Sequence, residues 1–593
     1  MNILGISCFY HDSAACLVRD GKIAGAAQEE RFSRRKHDAD FPLCAAEWCL
    51  RAAGLNAADL DYLVFYEKPF LKFERILENH LLNAPRGVRQ FTRSASSWLK
   101  QKIWISDLAE RLLDYHGKIL FSPHHESHAA SSFFPSPFNE AAFLTIDGVG
   151  EWETASLGIG SGSSLRTLKA MDFPHSLGLF YSAFTYYAGF KVNSGEYKLM
   201  GLAPYGEPRY KKLILDNLVD LKADGSFRLN MNYFGYTYGL KMINTGFESL
   251  FGAPPRKPET PIKRFYADIA SSAQQVAEEV ILRMARYARQ ATGQVNLCLG
   301  GGVALNCAAN GRILKEGIFE RLWIQPASGD AGGALGAALS VWHRYLNNGR
   351  IADGRHDCQK LSLLGPSYSD PEIENFLKIN KINYKRIPPC DIAKTAADLV
   401  AEGKVVAWFQ GALEFGPRAL GARSIIADPR DRNMKSRLNL KVKRRENFRP
   451  FAPVVLREYL ADWFEPEADS PYMTMNFLLK EEKRMYPQNL IPGDLLKEAE
   501  EPLSAVPAVT HLDYSSRVQT VNKEDNGIYY EMVKSFYDKT GCPMVINTSF
   551  NIRGEPLVCS PADAVKCFFS TDIDCLLIGG FLLDKSGARG EKL

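Results

Sequence analysis

The sequence predicts an α/β protein of two domains, of which the first is built from a duplicated unit. With 593 residues the chain is too long for one hydrophobic core. Two segments about 140 residues apart share one order of predicted strands and turns. A polar, turn-rich segment then separates them from a C-terminal part of different composition. We therefore place the first domain at residues 1–350, a linker at 351–370 and the second domain at 371–593.

The first repeat is predicted as strand, strand, turn and strand, with Asp20-Gly21 as the hairpin signal. Its three strands and the helix after them are "NILGISCF", "AACLVRDG", "KIAGAAQEERF" and "PLCAAEWCLRAAG". The same order recurs in "AAFLTIDGVGEWETASLGIGSGSSLRTLKAMDF". A duplicated β-β-β-α unit is typical of the actin-like (ASKHA, RNase H-like) architecture of acetate and sugar kinases, whose halves close over a nucleotide. This analogy concerns the fold and does not define the chemistry.

Composition and charge exclude several classes of protein. Hydrophobic residues make up 46% of the chain, charged residues 24%, and the net charge is only +4, which argues against a nucleic-acid partner. The sequence shows neither a signal peptide nor an apolar run of about 18 residues, so no membrane association is expected. The 12 cysteines form no C-x-x-C pair. That pattern disfavours a disulfide scaffold and predicts a cytoplasmic protein.

Polar groups follow the predicted strands of the first domain. Asp147 in "TIDGVG" and Asp330 in "SGDAG" both come after an apolar strand, where ligands collect in open α/β layers. A glycine run follows another strand and would let backbone N–H groups approach an anion, although a tight turn explains the run equally well. The predicted nucleotide-binding residues of this domain are Asp147, Gly300, Gly301, Gly302 and Asn306.

The segment "HHESHAAS" holds three of the 11 histidines. His124 and His128 are spaced i, i+4, so a helix would place both rings on one face. From the pattern alone, a metal clamp, a catalytic pair and a histidine-rich helix end all stay open.

The second domain carries a dense basic segment. Between Arg418 and Arg449 it has 11 Lys and Arg against three acidic residues. A solvated basic face and a nucleic-acid patch are alternatives, but the arginines are interleaved with Gly, Pro and apolar residues. Because the guanidinium fork matches phosphate oxygens, a polyphosphate pocket is favoured.

Five motifs in this order resemble the NodU/CmcH-type O-carbamoyltransferase family from residue 1 to about residue 580: "GEYKLMGLAPYGEP", "GGGVALN", "FGPRALGARS", "FRPFAPVV" and "NTSFNIRGEPLVCSPADA". A single motif such as G-G-G is nonspecific, whereas the whole set is specific. The resemblance implies a YrdC-like second domain that makes carbamoyl-adenylate and pyrophosphate from carbamoyl phosphate and ATP, supplied with Mg²⁺. The first domain would pass the carbamoyl group to a hydroxyl of a small molecule and release AMP.

The resemblance also implies residue roles. His124, His128 and Asp330 would hold a divalent metal, expected to be iron (Fe²⁺), which suits two imidazoles and a carboxylate; His125 would be structural. The predicted residues of the acceptor site are His11 as the base, Asp12 and Lys36. The predicted carbamoyl phosphate and ATP pocket comprises Arg418, Lys443, Arg449, Arg517, Asn547 and Ser549.

The acceptor is not defined by the sequence. Phe9 and Tyr10 beside His11 are apolar, which disfavours a polycationic aminoglycoside and leaves polyketide, coumarin, alkaloid, cephem and sugar-lipid hydroxyls open. Two aromatic-rich inserts, at 66–91 and 229–261, are expected to shape the acceptor pocket or to serve a homodimer. The alternative functions are a tRNA threonylcarbamoyl-forming enzyme, an actin-like sugar kinase and a non-enzymatic scaffold.

Overall fold

The computed structural model describes residues 1–486 and 501–585, apart from the side chains of Ser97, Lys100 and Gln101. The chain forms two compact units. The first consists of Met1–Ser33 and His37–Gln359, and the second of Arg34–Lys36 and Lys360–Leu593. The change of unit after residue 359 falls inside the segment 351–370, and the domain limits given above stay predictions.

The first unit contains two five-stranded sheets of the same topology. The strands of the first sheet are β1 (Asn2–Ser7), β2 (Ala14–Arg19), β3 (Lys22–Gln28), β4 (Tyr62–Phe65) and β5 (Lys118–Phe121). The strands of the second sheet are β6 (Glu140–Ile146), β7 (Glu153–Ser161), β8 (Ser164–Asp172), β11 (Asn296–Gly300) and β12 (Arg321–Ile324). Two short strands, β9 (Val219–Leu221) and β10 (Phe227–Leu229), lie between β8 and β11 in the chain.

The strand orders β3-β2-β1-β4-β5 and β8-β7-β6-β11-β12 correspond position by position, and β9 pairs with β10 separately. In each large sheet the first three strands along the chain pair with one another in antiparallel orientation. The last two strands pair in parallel, one with the first strand and the other with its new neighbour. This correspondence confirms the predicted duplicated α/β fold.

The hairpin between β2 and β3 forms where the sequence predicted it. Asp20 has φ 49° and Gly21 has φ 77°, so both central residues of the turn are left-handed. Such turns match the twist of the flanking strands, and Asp-Gly is a preferred pair for them.

The first unit also contains helices, some of which pack against the two large sheets. They are α1 (Glu30–Ser33), α2 (Leu43–Ala52), α3 (Pro69–Asn83), α4 (Val88–Ser97), α5 (Ile105–Leu113), α6 (His124–Phe133), α7 (Leu177–Tyr187), α8 (Glu196–Leu202), α9 (Lys211–Asn217), α10 (Thr245–Phe251), α11 (Arg264–Thr292), α12 (Cys307–Lys315) and α13 (Asp330–Ser340). Helices α6 and α13 are buried along almost their whole length, and both carry residues of the site described below.

The second unit is a mixed α/β structure, as predicted. Its strands are β13 (Lys385–Arg386), β14 (Val406–Phe409), β15 (Arg423–Ala427), β16 (Ala452–Leu456), β17 (Phe464–Glu465), β18 (Asn476–Leu479), β19 (Ser515–Arg517), β20 (Gln519–Val521), β21 (Met544–Ser549), β22 (Cys575–Ile578) and β23 (Phe581–Asp584). Its helices are α14 (Asp370–Ile379), α15 (Ile392–Ala401), α16 (Met434–Ser436), α17 (Leu460–Trp463), α18 (Lys523–Thr540) and α19 (Pro561–Phe569).

Eight of these strands form one sheet in the order β13-β23-β22-β14-β15-β21-β16-β20, and β17, β18 and β19 form a smaller one. The central strands β14, β15 and β16 are buried at every residue. The sequences of β14 and β16 are accordingly apolar throughout, whereas β15 begins with the buried polar residues Arg423 and Ser424. Among the helices of the described residues, none combines the length and the hydrophobicity needed to cross a membrane.

Candidate functional site

Helix α6 presents the two histidines of the i, i+4 pair on one face, as predicted. His124 is the first residue of α6, and both His124 and His128 are buried. The carboxylate of Glu151 accepts hydrogen bonds from the backbone N–H of His124, with both oxygens at 3.1 Å. An acidic group at this position stabilises the helix N-terminus and fixes where the first ring begins.

Helix α13 brings Asp330 to the same place. Asp330 is the first residue of α13 and is buried. The two helices lie so close that a Cβ atom on Gly336 of α13 would be 1.8 Å from the carbonyl oxygen of Ser127 on α6. The Gly/Ala-rich sequence of α13 therefore permits the close packing that places Asp330 beside the histidines.

Four side chains converge at this point. The Nε2 atoms of His124 and His128 are 3.1 Å apart. Asp147 Oδ2 lies 3.1 Å from Nε2 of His124 and 3.7 Å from that of His128. Asp330 Oδ1 lies 4.0 and 3.9 Å from the same two atoms. Ligand atoms that are each about 2.1 Å from a common ion are separated by roughly 3 to 4 Å, so these four side chains fit one metal.

We call His124, His128, Asp147 and Asp330 the candidate metal-ligand group. The charges of this group support the same interpretation. Burial alone would lower the pKa of His124, but the carboxylates of Asp147, Glu67 and Asp330 raise it to about 10. Burial would raise the pKa of Asp147, yet its contacts with the two histidines hold it well below the usual range. Within the described residues, the buried Oδ1 of Asp330 has no hydrogen-bond partner. Two imidazoles and two carboxylates are a donor set for a borderline divalent cation, which would supply the missing partner.

His11 and Asp12 lie together at a turn after β1. Asp12 bridges two histidines, because its carboxylate lies 2.9 Å from His11 Nδ1 and 2.8 Å from His37 Nδ1. Burial would lower the pKa of His11, but Asp330 and the contact with Asp12 raise it to about 9. The two hydrogen bonds hold the pKa of Asp12 well below its usual range, against the effect of burial. Asp12 thus occupies Nδ1 of His11 and sets the orientation of the ring.

The glycine run and Asn306 take different positions. The backbone N–H of Gly302 donates to Asp147 Oδ1 at 2.9 Å, which ties the run to the metal-ligand group. Gly300 is the last residue of β11. The side chain of Asn306 caps α12 and exchanges hydrogen bonds with Gln274. Nucleotide binding by these residues stays a prediction.

In the second unit, Lys443 is the centre of a buried polar cluster. Its ammonium group donates to Ser549 Oγ at 3.1 Å, to the Asn551 carbonyl at 2.9 Å and to Asn551 Oδ1 at 2.8 Å, and it also contacts the Ser549 carbonyl. Ser549 in turn donates to Asn551 Oδ1 at 2.7 Å. Lys443 therefore fixes the end of β21, where the predicted phosphate-pocket serine lies.

The positive charges around Lys443 are concentrated. Burial pushes the pKa of Lys443 well below its ordinary value, and the nearby charges of Arg445, Lys36 and Arg449 lower it further. Lys36 thus acts electrostatically on the second unit, with which the segment Arg34–Lys36 is grouped. Its role at the acceptor site stays a prediction. Because these neighbouring cations lower the proton affinity of Lys443, the cluster favours a bound anion.

The remaining predicted pocket residues lie in the same unit. Asn547 on β21 is buried and donates to the carbonyl of Ala419, the residue after Arg418, at 3.1 Å. This bond joins the "FGPRALGARS" loop to the "NTSFN" strand. Arg449 lies 4.0 Å from Glu446, and Arg517 ends β19 opposite Asn476.

Several members of these clusters were not assigned from the sequence. Asp147 was predicted to bind nucleotide. Its place beside His124, His128 and Asp330 had only one signal in the sequence, a position after a strand like that of Asp330. His37 and Glu67 lack any local motif. Asn551 was visible as one of a run of hydrogen-bonding residues but was not given a role.

Comparison with known proteins identifies the family. The family model described as "Carbamoyltransferase N-terminus" matches residues 2–339, and "Carbamoyltransferase C-terminus" matches residues 397–585. The chain is 53% identical over 598 residues to "Uncharacterized protein sll1178" of Synechocystis sp., across 99% of this chain and 97% of that protein. It is 37% identical to the nodulation protein NolNO of Sinorhizobium fredii, across 98% of this chain and 80% of the relative. The chain belongs to the carbamoyltransferase family, and the resemblance predicted from its motifs is confirmed.

Proposed function

We propose that the protein is an ATP-dependent O-carbamoyltransferase that works in two half-reactions, one in each unit. The observation that carries the proposal is a pair of chemically opposite clusters. The first unit holds two histidines and two aspartates in ligating positions, and the second holds a buried lysine surrounded by cationic side chains. The cluster of the first unit suits a metal ion at a carbamoyl-transfer site, and the cluster of the second unit suits bound phosphate groups.

The first half-reaction makes carbamoyl-adenylate in the second unit. One water cleaves carbamoyl phosphate to carbamate and phosphate. The carbamate oxygen then bonds to the α-phosphorus of ATP, the bond to the β-phosphate breaks, and pyrophosphate leaves. Arg418 and Arg449 would neutralise the phosphate oxygens, with Mg²⁺ arriving on ATP. Lys443 would hold Ser549 and Asn551 in place for the reactants, consistent with its hydrogen bonds to both residues.

The second half-reaction occurs in the first unit. The acceptor oxygen attacks the carbamoyl carbon, the bond to the AMP oxygen breaks, and AMP leaves with the bonding electrons. His11 would take the hydroxyl proton at Nε2 while Asp12 holds Nδ1. His124, His128, Asp147 and Asp330 would hold a divalent metal, expected to be Fe²⁺, which supplies Lewis-acid stabilisation of the developing oxyanion.

The acceptor is proposed to be a hydroxyl of a small molecule. Phe9 is buried and Tyr10 is partly exposed, and the two precede His11 in the chain, so the residues before the proposed base are apolar. A net charge of +4 gives no support to a tRNA substrate. A sugar kinase would leave the cationic cluster of the second unit without a use.

The test is an incubation of the protein with ATP, Mg²⁺ and carbamoyl phosphate, without bicarbonate or threonine. We expect pyrophosphate and phosphate in equal amounts, and no pyrophosphate when acetyl phosphate replaces carbamoyl phosphate. Mass spectrometry of a pool of hydroxyl metabolites should then detect a carbamoylated product and AMP. Release of ADP with phosphorylation of a sugar would favour the kinase, and a requirement for bicarbonate and threonine would favour the tRNA enzyme. Either result would overturn the proposal.

A further inference from the structure

The two residues that follow β4, Tyr66 and Glu67, lie beside the metal-ligand group. Tyr66 is 0% and Glu67 2% exposed. The backbone of Tyr66 is fixed on both sides, since its N–H donates to the Ile6 carbonyl at 3.1 Å and Ser127 Oγ donates to its carbonyl at 2.9 Å. Ser127 belongs to α6, so this dipeptide is held against the helix that carries the two histidines.

Glu67 faces the ring nitrogen of His124 that points away from the other ligands. Its Oε2 atom lies 3.5 Å from His124 Nδ1, while Nε2 of the same ring lies 3.1 Å from Asp147. A carboxylate beside Nδ1 favours a proton on that nitrogen. The lone pair of Nε2 is then available to an ion, and the ring keeps one orientation.

Tyr66 acts in a corresponding way on Asp330. Its hydroxyl donates to Asp330 Oδ2 at 3.2 Å. The other oxygen, Oδ1, faces the Nε2 atoms of His124 and His128 at 4.0 and 3.9 Å. Occupation of one carboxylate oxygen by the tyrosine therefore defines the other as the ligand atom.

We propose that Tyr66 and Glu67 are positioning residues of the metal site. Glu67 sets the tautomer of His124, and Tyr66 sets which oxygen of Asp330 meets the ion. This inference rests on the metal site of the proposed function and requires nothing about the acceptor or about ATP.

A competing explanation is that Glu67 only neutralises a buried cation. Lys72 donates to the same Oε2 atom, and its side chain is 7% exposed. Glu67→Gln alone would leave Lys72 without its counter-charge, which destabilises a fold whatever the role of Glu67 in metal binding. The double variant Glu67→Gln/Lys72→Met removes both charges and separates the two explanations.

The experiment is a titration of metal-free full-length protein with Co²⁺, followed by visible absorption, together with thermal unfolding of the metal-free form. We expect Tyr66→Phe, Glu67→Gln and the double variant each to bind Co²⁺ about 10- to 100-fold more weakly than the wild type, with altered absorption bands. Glu126→Gln is the matched control. Glu126 lies on α6, and its carboxylate accepts a hydrogen bond from Ser340 at 2.6 Å. The Glu126→Gln variant should bind Co²⁺ as the wild type does.

The outcomes separate the inference from the proposed function. Wild-type affinity and spectrum in both Tyr66→Phe and the double variant would overturn the inference while leaving the metal site standing. Weak binding by Glu67→Gln that the double variant restores would assign Glu67 to charge balance and also overturn its positioning role. A wild-type protein that binds no Co²⁺ would overturn the metal site itself.

Discussion

The Nε2 atoms of His124 and His128 lie 3.1 Å apart on one buried face of α6. A hydrogen bond between two neutral rings could account for this distance alone. It does not account for Asp330 Oδ1, which faces both atoms and has no hydrogen-bond partner among the described residues. One divalent cation would satisfy all three groups, and Asp147 would complete the set.

The first prediction concerns this cation. The purified protein should contain roughly one divalent ion per chain, and His128→Ala should lose it because one of four ligands disappears. Metal analysis by mass spectrometry after desalting gives the measurement. His125→Asn is the control, since His125 is buried beside the pair but its Nδ1 contacts Thr145 at 2.8 Å instead of the ligands. Retention of the ion by a folded His128→Ala protein would contradict the assignment.

The second prediction concerns the phosphate pocket. Arg418→Ala should reduce carbamoyl phosphate-dependent pyrophosphate release by at least about 100-fold, because a donor to the phosphate oxygens is lost. Arg418→Lys should recover little, since an ammonium group cannot form the two parallel bonds of a guanidinium. A coupled pyrophosphate assay measures both variants.

Arg437→Gln provides the comparison for Arg418. Arg437 belongs to the same basic segment but donates to Asp574 at 2.6 Å and to the Gly403 carbonyl at 3.0 Å. Its loss should leave adenylation close to normal in protein that stays folded. Near-normal turnover of Arg418→Lys would rule out two-point binding of phosphate by this arginine.

The third prediction is a pH dependence of His11. Its pKa of about 9 in the metal-free protein lies above the ordinary 6.5. The protonated ring therefore stabilises the metal-free fold fully below pH 6.5, and this contribution is lost as the pH rises through about 9. As a base, His11 must be neutral, so transfer should decline as the pH falls below the pKa of His11.

NMR titration of the His11 ring can measure this value. Asp12→Asn should lower the pKa, because it removes one of the groups that raise it. Addition of Zn²⁺ should also lower the pKa, because the cation offsets the charges of Asp330 and Asp147. A His11 pKa near 6.5 in metal-free protein, unchanged by either treatment, would argue against the electrostatic coupling between His11 and the metal-ligand group.

Features with a local cause were predictable from the sequence. Asp20-Gly21 defines its hairpin because two consecutive left-handed residues suit this pair. The spacing of His124 and His128 places both rings on one face once the segment is helical. The duplicated order of strands likewise follows from hydrophobic patterns that occur within each segment.

Features that depend on tertiary contacts were not predictable in this way. Glu67 reaches His124 only because the end of β4 packs beside α6, and no spacing along the chain encodes that approach. For Lys443, the density of basic residues indicated an anion site but gave no sign of its own bonds to Ser549 and Asn551. Charge patterns report on what a surface attracts, whereas the partners of a buried side chain depend on the packing of distant segments.

The central claim is that two sites carry two separable half-reactions, and one pair of variants tests it most directly. His128→Ala changes a ligand in the first unit, and Arg449→Ala changes the cationic cluster of the second. The first variant should still release pyrophosphate when carbamoyl phosphate is present, yet give no carbamoylated acceptor. The second should release none, and it should carry out transfer when synthetic carbamoyl-adenylate is supplied. Loss of both half-reactions in a His128→Ala protein that circular dichroism finds folded would contradict the claim and indicate one shared site.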